Sequence, residues 1–194
     1  MDRWLQDIKV IVFDLDGTLY QDYRFLGRYV YKMLVNTHSK EEIEQYIEYA
    51  YRFLEGSQQV KLGFFYDQNF TFYEHDYLKP TNAYDWQGNK QEIKEVNGDL
   101  TYVGDPWSIA TFIGRKEKIS SETMKQAFLE VRSEMLHSDE YISKNEKLAD
   151  TLRGLKQYKV LMTNTIEPSG KEFVDYLLLD DCFDEYHYDG KKPL

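Results

Sequence analysis

The chain has 194 residues, 42% hydrophobic and 30% charged, with a formal net charge of −10; that length holds one ordinary domain, or a compact domain carrying an insertion, with a sizeable core. The negative balance repels phosphate backbones and no basic patch stands out, which excludes nucleic acid as an expected partner. No segment reaches the roughly 18 apolar residues of a membrane span, so no membrane is expected.

The N-terminal segment reaches its apolar run only at Ile8, and that run ends in acids rather than at a small-residue cleavage site. A signal peptide is therefore not expected. With the single cysteine, Cys182, which permits no internal disulfide, this points to the cytoplasm. The 17 Tyr and 11 Phe residues are spread along the chain and read as core and cavity lining.

In chain order, "IKVIVF" is β-branched without polar alternation, the pattern of a strand covered on both faces in a parallel sheet. After Tyr20 the texture changes. "DYRFLGRYVYKMLVN" has apolar residues at helical spacing, and "SKEEIEQYIEYAYRFLEG" is a helix with a Ser39/Glu42 capping box and a Gly56 stop. From Val60 to Gly104 the chain is aromatic with Gly and Asn punctuation, and Asn97-Gly98 between two short β-prone runs predicts a hairpin.

"DPWSIATFIG" follows as a helix with Asp105 at the N-cap and Pro106 in the first turn. "SSETMKQAFLEVRSEML" is another, with Met124, Phe128, Val131 and Met135 on one face. "EKLADTLRGLKQY" leads as a helix into "KVLMTNT", a second buried-type strand. "EPSGKEFVDYLLL" is a helix, and "CFDEYHYDG" a third, short strand before Lys191, Lys192 and Pro193. Strand-helix alternation predicts an α/β fold with a parallel sheet.

The chemistry lies in "VFDLDGTLY". At an extended strand end, residues two apart point the same way, so Asp14 and Asp16 can face one small volume at the carboxyl edge of the sheet, where open α/β folds bind ligands. Two close carboxylates repel, and a cation or a shared proton is needed to hold them. Mg²⁺ suits oxygen ligands and phosphoryl substrates. Gly17 allows a sharp turn and Thr18 supplies a hydroxyl. The bland alternative is a pair of solvated strand-end acids. The four histidines are scattered without ligand spacing.

This stretch resembles the first motif of the haloacid dehalogenase-like hydrolases, an apolar strand followed by Asp-x-Asp-Gly-Thr. "VLMTNT" is similar to that family's second motif and "CFDEYHYDGKKP" to its third. The resemblance covers about residues 5 to 20 and 145 to 194. It implies a Rossmann-like parallel core from residues 1–20 and 144–194, and an inserted, mostly helical cap over 21–143. It also implies a Mg²⁺-dependent phosphatase of a small phosphorylated metabolite, working through an aspartyl-phosphate. Asp14 would be the nucleophile and Asp16 the acid and base. Thr163, Asn164 and Lys192 would bind phosphate, and Mg²⁺ would rest on Asp14 and the main-chain carbonyl of Asp16.

The family's fourth motif, an acidic pair after a fourth strand, has no counterpart beyond Lys192. Gly104-Asp105 comes before the second motif and reads as an N-cap, and Asp180-Asp181 reads as a helix-to-strand turn. The expectation is a core incomplete at its C-terminus, weak Mg²⁺ binding, slow or absent turnover, and an open edge on the first strand that favours self-association. Two other readings stay open: a truncated or degenerate relative that binds a partner without turnover, and a transferase in which Asp-x-Asp holds a nucleotide sugar.

Overall fold

The structure, a computed structural model, describes residues 7–76, 79–93 and 99–191. They form a mixed α/β protein with six helices, a parallel sheet and an antiparallel sheet. The described residues fall into two compact units, one built from residues 7–25 and 132–191 and the other from Leu26–Val131.

In the first unit, β1 (Val10–Phe13), β7 (Tyr158–Met162) and β8 (Glu185–His187) make a three-stranded parallel sheet in the order β1-β7-β8. The register runs Val10 to Tyr158 through Phe13 to Leu161, then Val160 to Glu185 through Met162 to His187. Between these strands lie α5 (Glu146–Gly154), whose N-cap Asn145 accepts from the Leu148 N–H, and α6 (Glu167–Tyr176). Leu15, Leu19, Leu152, Leu161, Phe173, Val174 and Cys182 are buried in this unit.

The central strand β7 buries Val160 and Leu161, as its continuous apolar run predicts. β1 departs from expectation. Its apolar run predicts cover on both faces, yet Val10 and Val12 are 53% and 58% exposed while Ile11 and Phe13 are half-buried. The strand stands at the sheet's end with only β7 beside it among the described residues. Its β-branched sequence suits a strand whether the second face is covered or not, so composition alone does not distinguish the two.

The second unit contains α1 (Phe25–Leu34, shared at its first residue), α2 (Lys40–Glu55), α3 (Pro106–Lys116) and most of α4 (Ser121–Met135). α2 starts with the Ser39/Glu42 capping box and ends at Gly56 in the left-handed conformation. α3 starts on Asp105, whose carboxylate accepts from the Ser108 N–H. Where one hairpin was expected there is a five-stranded antiparallel sheet, in the order β5 (Lys90–Gln91), β4 (Lys79–Tyr84), β3 (Phe72–Asp76), β2 (Phe64–Tyr66), β6 (Thr101–Val103). The Asn97-Gly98 turn lies outside the described residues.

These strands are two to six residues long, too short for alternation to declare itself in sequence. The aromatics are their core: the Phe112 ring of α3 packs 4.8 Å from Phe72, 5.2 Å from Tyr66 and 5.9 Å from Phe70, centroid to centroid. Such edge-to-face pairs contribute about 0.5–1.5 kcal/mol each beyond the area they bury.

Candidate active site

The carboxyl ends of β1 and β7 lie side by side. Asp14 follows Phe13, the residue that pairs with Leu161, and Thr163 lies two residues past Leu161. The chain leaves β1 through a turn in which the Leu19 N–H donates to the Leu15 carbonyl at 3.0 Å, and Gly17 adopts φ +76°. Side-chain-bearing residues pay a steric penalty there, which accounts for glycine in the Asp-x-Asp-Gly sequence.

Asp14 is half-buried, and its Oδ1 accepts the Leu15 N–H at 2.7 Å. Asp16 is engaged at both oxygens. Its Oδ1 accepts from Arg132 Nη1 at 2.9 Å and from the Tyr20 hydroxyl, and its Oδ2 accepts from Thr165 Oγ1 at 3.0 Å. The cation required beside Asp16 is thus supplied by the chain. Burial, reinforced by the Asp16 charge, raises the Tyr20 phenol well above its ordinary value, so it remains a donor at any ordinary pH.

Of the residues read as phosphate-binding, Thr163 is 1% exposed, and its hydroxyl accepts the Thr165 N–H at 3.1 Å. Asn164 is exposed in the same loop. Lys192 lies outside the described residues. The segment after β8 returns to the loop: the Gly190 N–H donates to the Thr163 carbonyl at 2.8 Å and the Asp189 N–H to the Thr165 carbonyl at 3.0 Å. A Cβ on Gly190 would stand 3.1 Å from that Thr163 oxygen, so the approach favours glycine. Asp180 and Asp181 occupy the turn between α6 and β8, and Asp181 pairs with Arg153 at 2.8 Å. Asp105 is the N-cap of α3.

Three partners of Asp16 were not anticipated: Tyr20, Arg132 and Thr165. Thr165 is the second hydroxyl of "TNT", two residues past the one singled out. Arg132 follows Phe128 by four residues and precedes Met135 by three, which puts it on the apolar face of α4. An arginine on such a face is a readable sign of a buried ion pair. A recess of about 540 Å³ in the same unit is lined by Thr18, Gln21, Asp22, Ser143, Lys144 and Asn145 among others, without Asp14 or Asp16.

Among the described residues, no group of three or more His, Cys, Asp or Glu gathers as a metal cluster, and no helix is long and apolar enough to cross a membrane. No protein-family model matches the chain, and no curated protein matches it significantly. Fold and site together define a mixed α/β protein with an acid pair and a hydroxyl-bearing loop at the carboxyl edge of a parallel strand pair.

Proposed function

We propose that the chain is a phosphoric monoester hydrolase of the haloacid dehalogenase-like type, acting on a small phosphorylated metabolite, with residues 21–143 as a cap inserted into a Rossmann-like core. The observation that carries this reading is the meeting of two motifs at one sheet edge: Thr165, from the loop after β7, donates to Asp16, from the turn after β1.

In this reading the Asp14 carboxylate attacks phosphorus, forming an aspartyl-phosphate and breaking the bond to the leaving oxygen, which takes a proton from Asp16. Asp16 then removes a proton from water, whose oxygen attacks the phosphoryl group, releasing phosphate and restoring Asp14. Thr163, Asn164 and Lys192 bind the phosphoryl oxygens. The donor set fits Mg²⁺ as phosphoryl-transfer sites hold it, on one or two carboxylates completed by the substrate phosphate. The Asp14 carboxylate and the Asp16 main-chain carbonyl would be the protein's oxygen donors, since the Asp16 carboxylate is held by Arg132, Tyr20 and Thr165. When bound, the ion cancels charge between nucleophile and phosphate.

The Arg132–Asp16 ion pair also favours a second reading, a non-catalytic relative in which these acids serve the fold and a partner or ligand is bound without turnover. Phosphatase rates over a panel of small phosphomonoesters, with and without Mg²⁺, separate the two. With only one carboxylate and one main-chain carbonyl to hold the ion, the expected result is slow turnover that needs high Mg²⁺, that Asp14→Asn abolishes and that Asp16→Ala severely reduces. Full turnover by Asp14→Asn rules out the covalent mechanism, and no turnover by the folded wild type favours the second reading.

A further inference from the structure

Arg132 carries a charge into an environment that leaves its side chain only 6% exposed. Burying a guanidinium is costly unless it is paired, and truncating the partner of a buried charge is strongly unfavourable. The pairing is specific. Nη1 donates to Asp16 Oδ1 at 2.9 Å and lies 3.4 Å from the Tyr20 hydroxyl, Nη2 donates to Ser169 Oγ at 3.2 Å, and the guanidinium stands over the Phe173 ring at 3.7 Å. With the ring on one face and hydrogen bonds along its edge, the fork has little rotational freedom, an arrangement a lysine ammonium does not reproduce.

Thr165 Oγ1 holds the other oxygen of the same carboxylate at 3.0 Å. One oxygen is anchored from α4 and the other from the loop after β7, so the side-chain torsions of Asp16 are fixed from both ends. We propose that Arg132 is a positioning residue for Asp16, acting with Thr165 to aim its carboxylate for proton transfer.

The inference rests on the phosphatase reading, since aim matters to a group that moves protons, where small misplacements are costly to rate. Arg132 acts through Asp16 and not on substrate. Its loss should therefore lower kcat and leave KM alone.

Two measurements test this on the full chain. In the first, kcat and KM are determined with a turned-over phosphomonoester and Mg²⁺. Arg132→Met should lower kcat about 10- to 100-fold, a part of the ~10²–10⁴ that a positioned acid-base group contributes, with KM unchanged. Arg132→Lys should recover part of the loss, and Thr165→Val, which leaves the arginine in place, should show the same pattern more weakly. In the second, thermal unfolding midpoints are compared for Arg132→Met, Asp16→Asn and the double variant. The expected result is non-additivity, Asp16→Asn costing much less once Arg132 is gone.

Additive midpoints overturn the ion-pair coupling, and the inference with it, whatever the activity. Non-additive midpoints with unchanged kcat overturn the positioning role, and so does a raised KM at constant kcat, which assigns Arg132 to substrate binding. Non-additive midpoints in a wild type without turnover overturn the phosphatase reading and, with it, the catalytic part of this inference. If Arg132→Met fails to fold, Arg132→Lys and Thr165→Val decide the kinetic question.

Discussion

Thr165 Oγ1 donates to Asp16 Oδ2 at 3.0 Å across 149 positions of sequence, and the same threonine's N–H donates to Thr163 Oγ1 at 3.1 Å. Two hydroxyls of one short loop therefore have different tasks. Thr163 closes the loop on itself, whereas Thr165 ties the loop to the turn after β1.

Substitution should separate these tasks. Thr163→Val removes the acceptor of the half-buried Thr165 N–H, from a side chain that is itself 1% exposed, and is expected to cost about 1–3 kcal/mol. Thr165→Val removes one of three donors to a carboxylate that is 29% exposed, where water can substitute, and should cost about 0.5–1.5 kcal/mol. Denaturant unfolding of the two variants checks the order; a larger loss for Thr165→Val contradicts it.

Gly17→Ala is expected to destabilise by about 1–2 kcal/mol through backbone strain alone. The added Cβ would meet only the Tyr23 hydroxyl, at 3.7 Å, an ordinary contact, while φ stays at +76°. A neutral result in denaturant unfolding would show that the turn relaxes to another conformation.

Acid should weaken the second unit through Glu117. Burial opposes its ionisation, but hydrogen bonds from Lys116 at 2.6 Å, from the Tyr46 hydroxyl and from His38 at 3.2 Å outweigh it, holding the carboxyl down to about 2 against an ordinary 4.5. A carboxyl whose folded value is depressed adds stability that is fully present above its unfolded value and is lost as pH falls through the folded one. The contribution should therefore fade between about pH 4.5 and 2. Glu117→Gln should lower stability at neutral pH and flatten its decline over that window, as followed by thermal midpoints against pH. Parallel curves for the two proteins would remove Glu117 from the account.

Val12→Lys, at a 58% exposed position on the end strand β1, should change stability by no more than about 0.5 kcal/mol, as surface substitutions usually do. If the β1 edge pairs between chains, the same change should also reduce self-association in sedimentation velocity, because an edge lysine opposes strand pairing. A monomeric wild type would dispose of that second expectation.

Features set by local chemistry are legible in the residues alone. The Ser39/Glu42 box, the Gly56 stop and the Asp105 cap are interactions within a few residues, so they were readable as written. The continuous apolar run of β7 declared a covered strand, and Asp-x-Asp-Gly-Thr after an apolar run declared a turn with two acids at a sheet edge. Features that depend on distant partners emerge only in the folded chain. Val10 and Val12 lie open because the face of β1 they share is left uncovered, a matter of which elements pack over the sheet. The aromatic middle segment became five short strands because rings from four elements converge on Phe112 and its neighbours. The counter-charge of Asp16 came from Arg132, 116 positions away, because burial forces an arginine on an apolar helix face to find an anion, and only the folded chain fixes which anion is within reach.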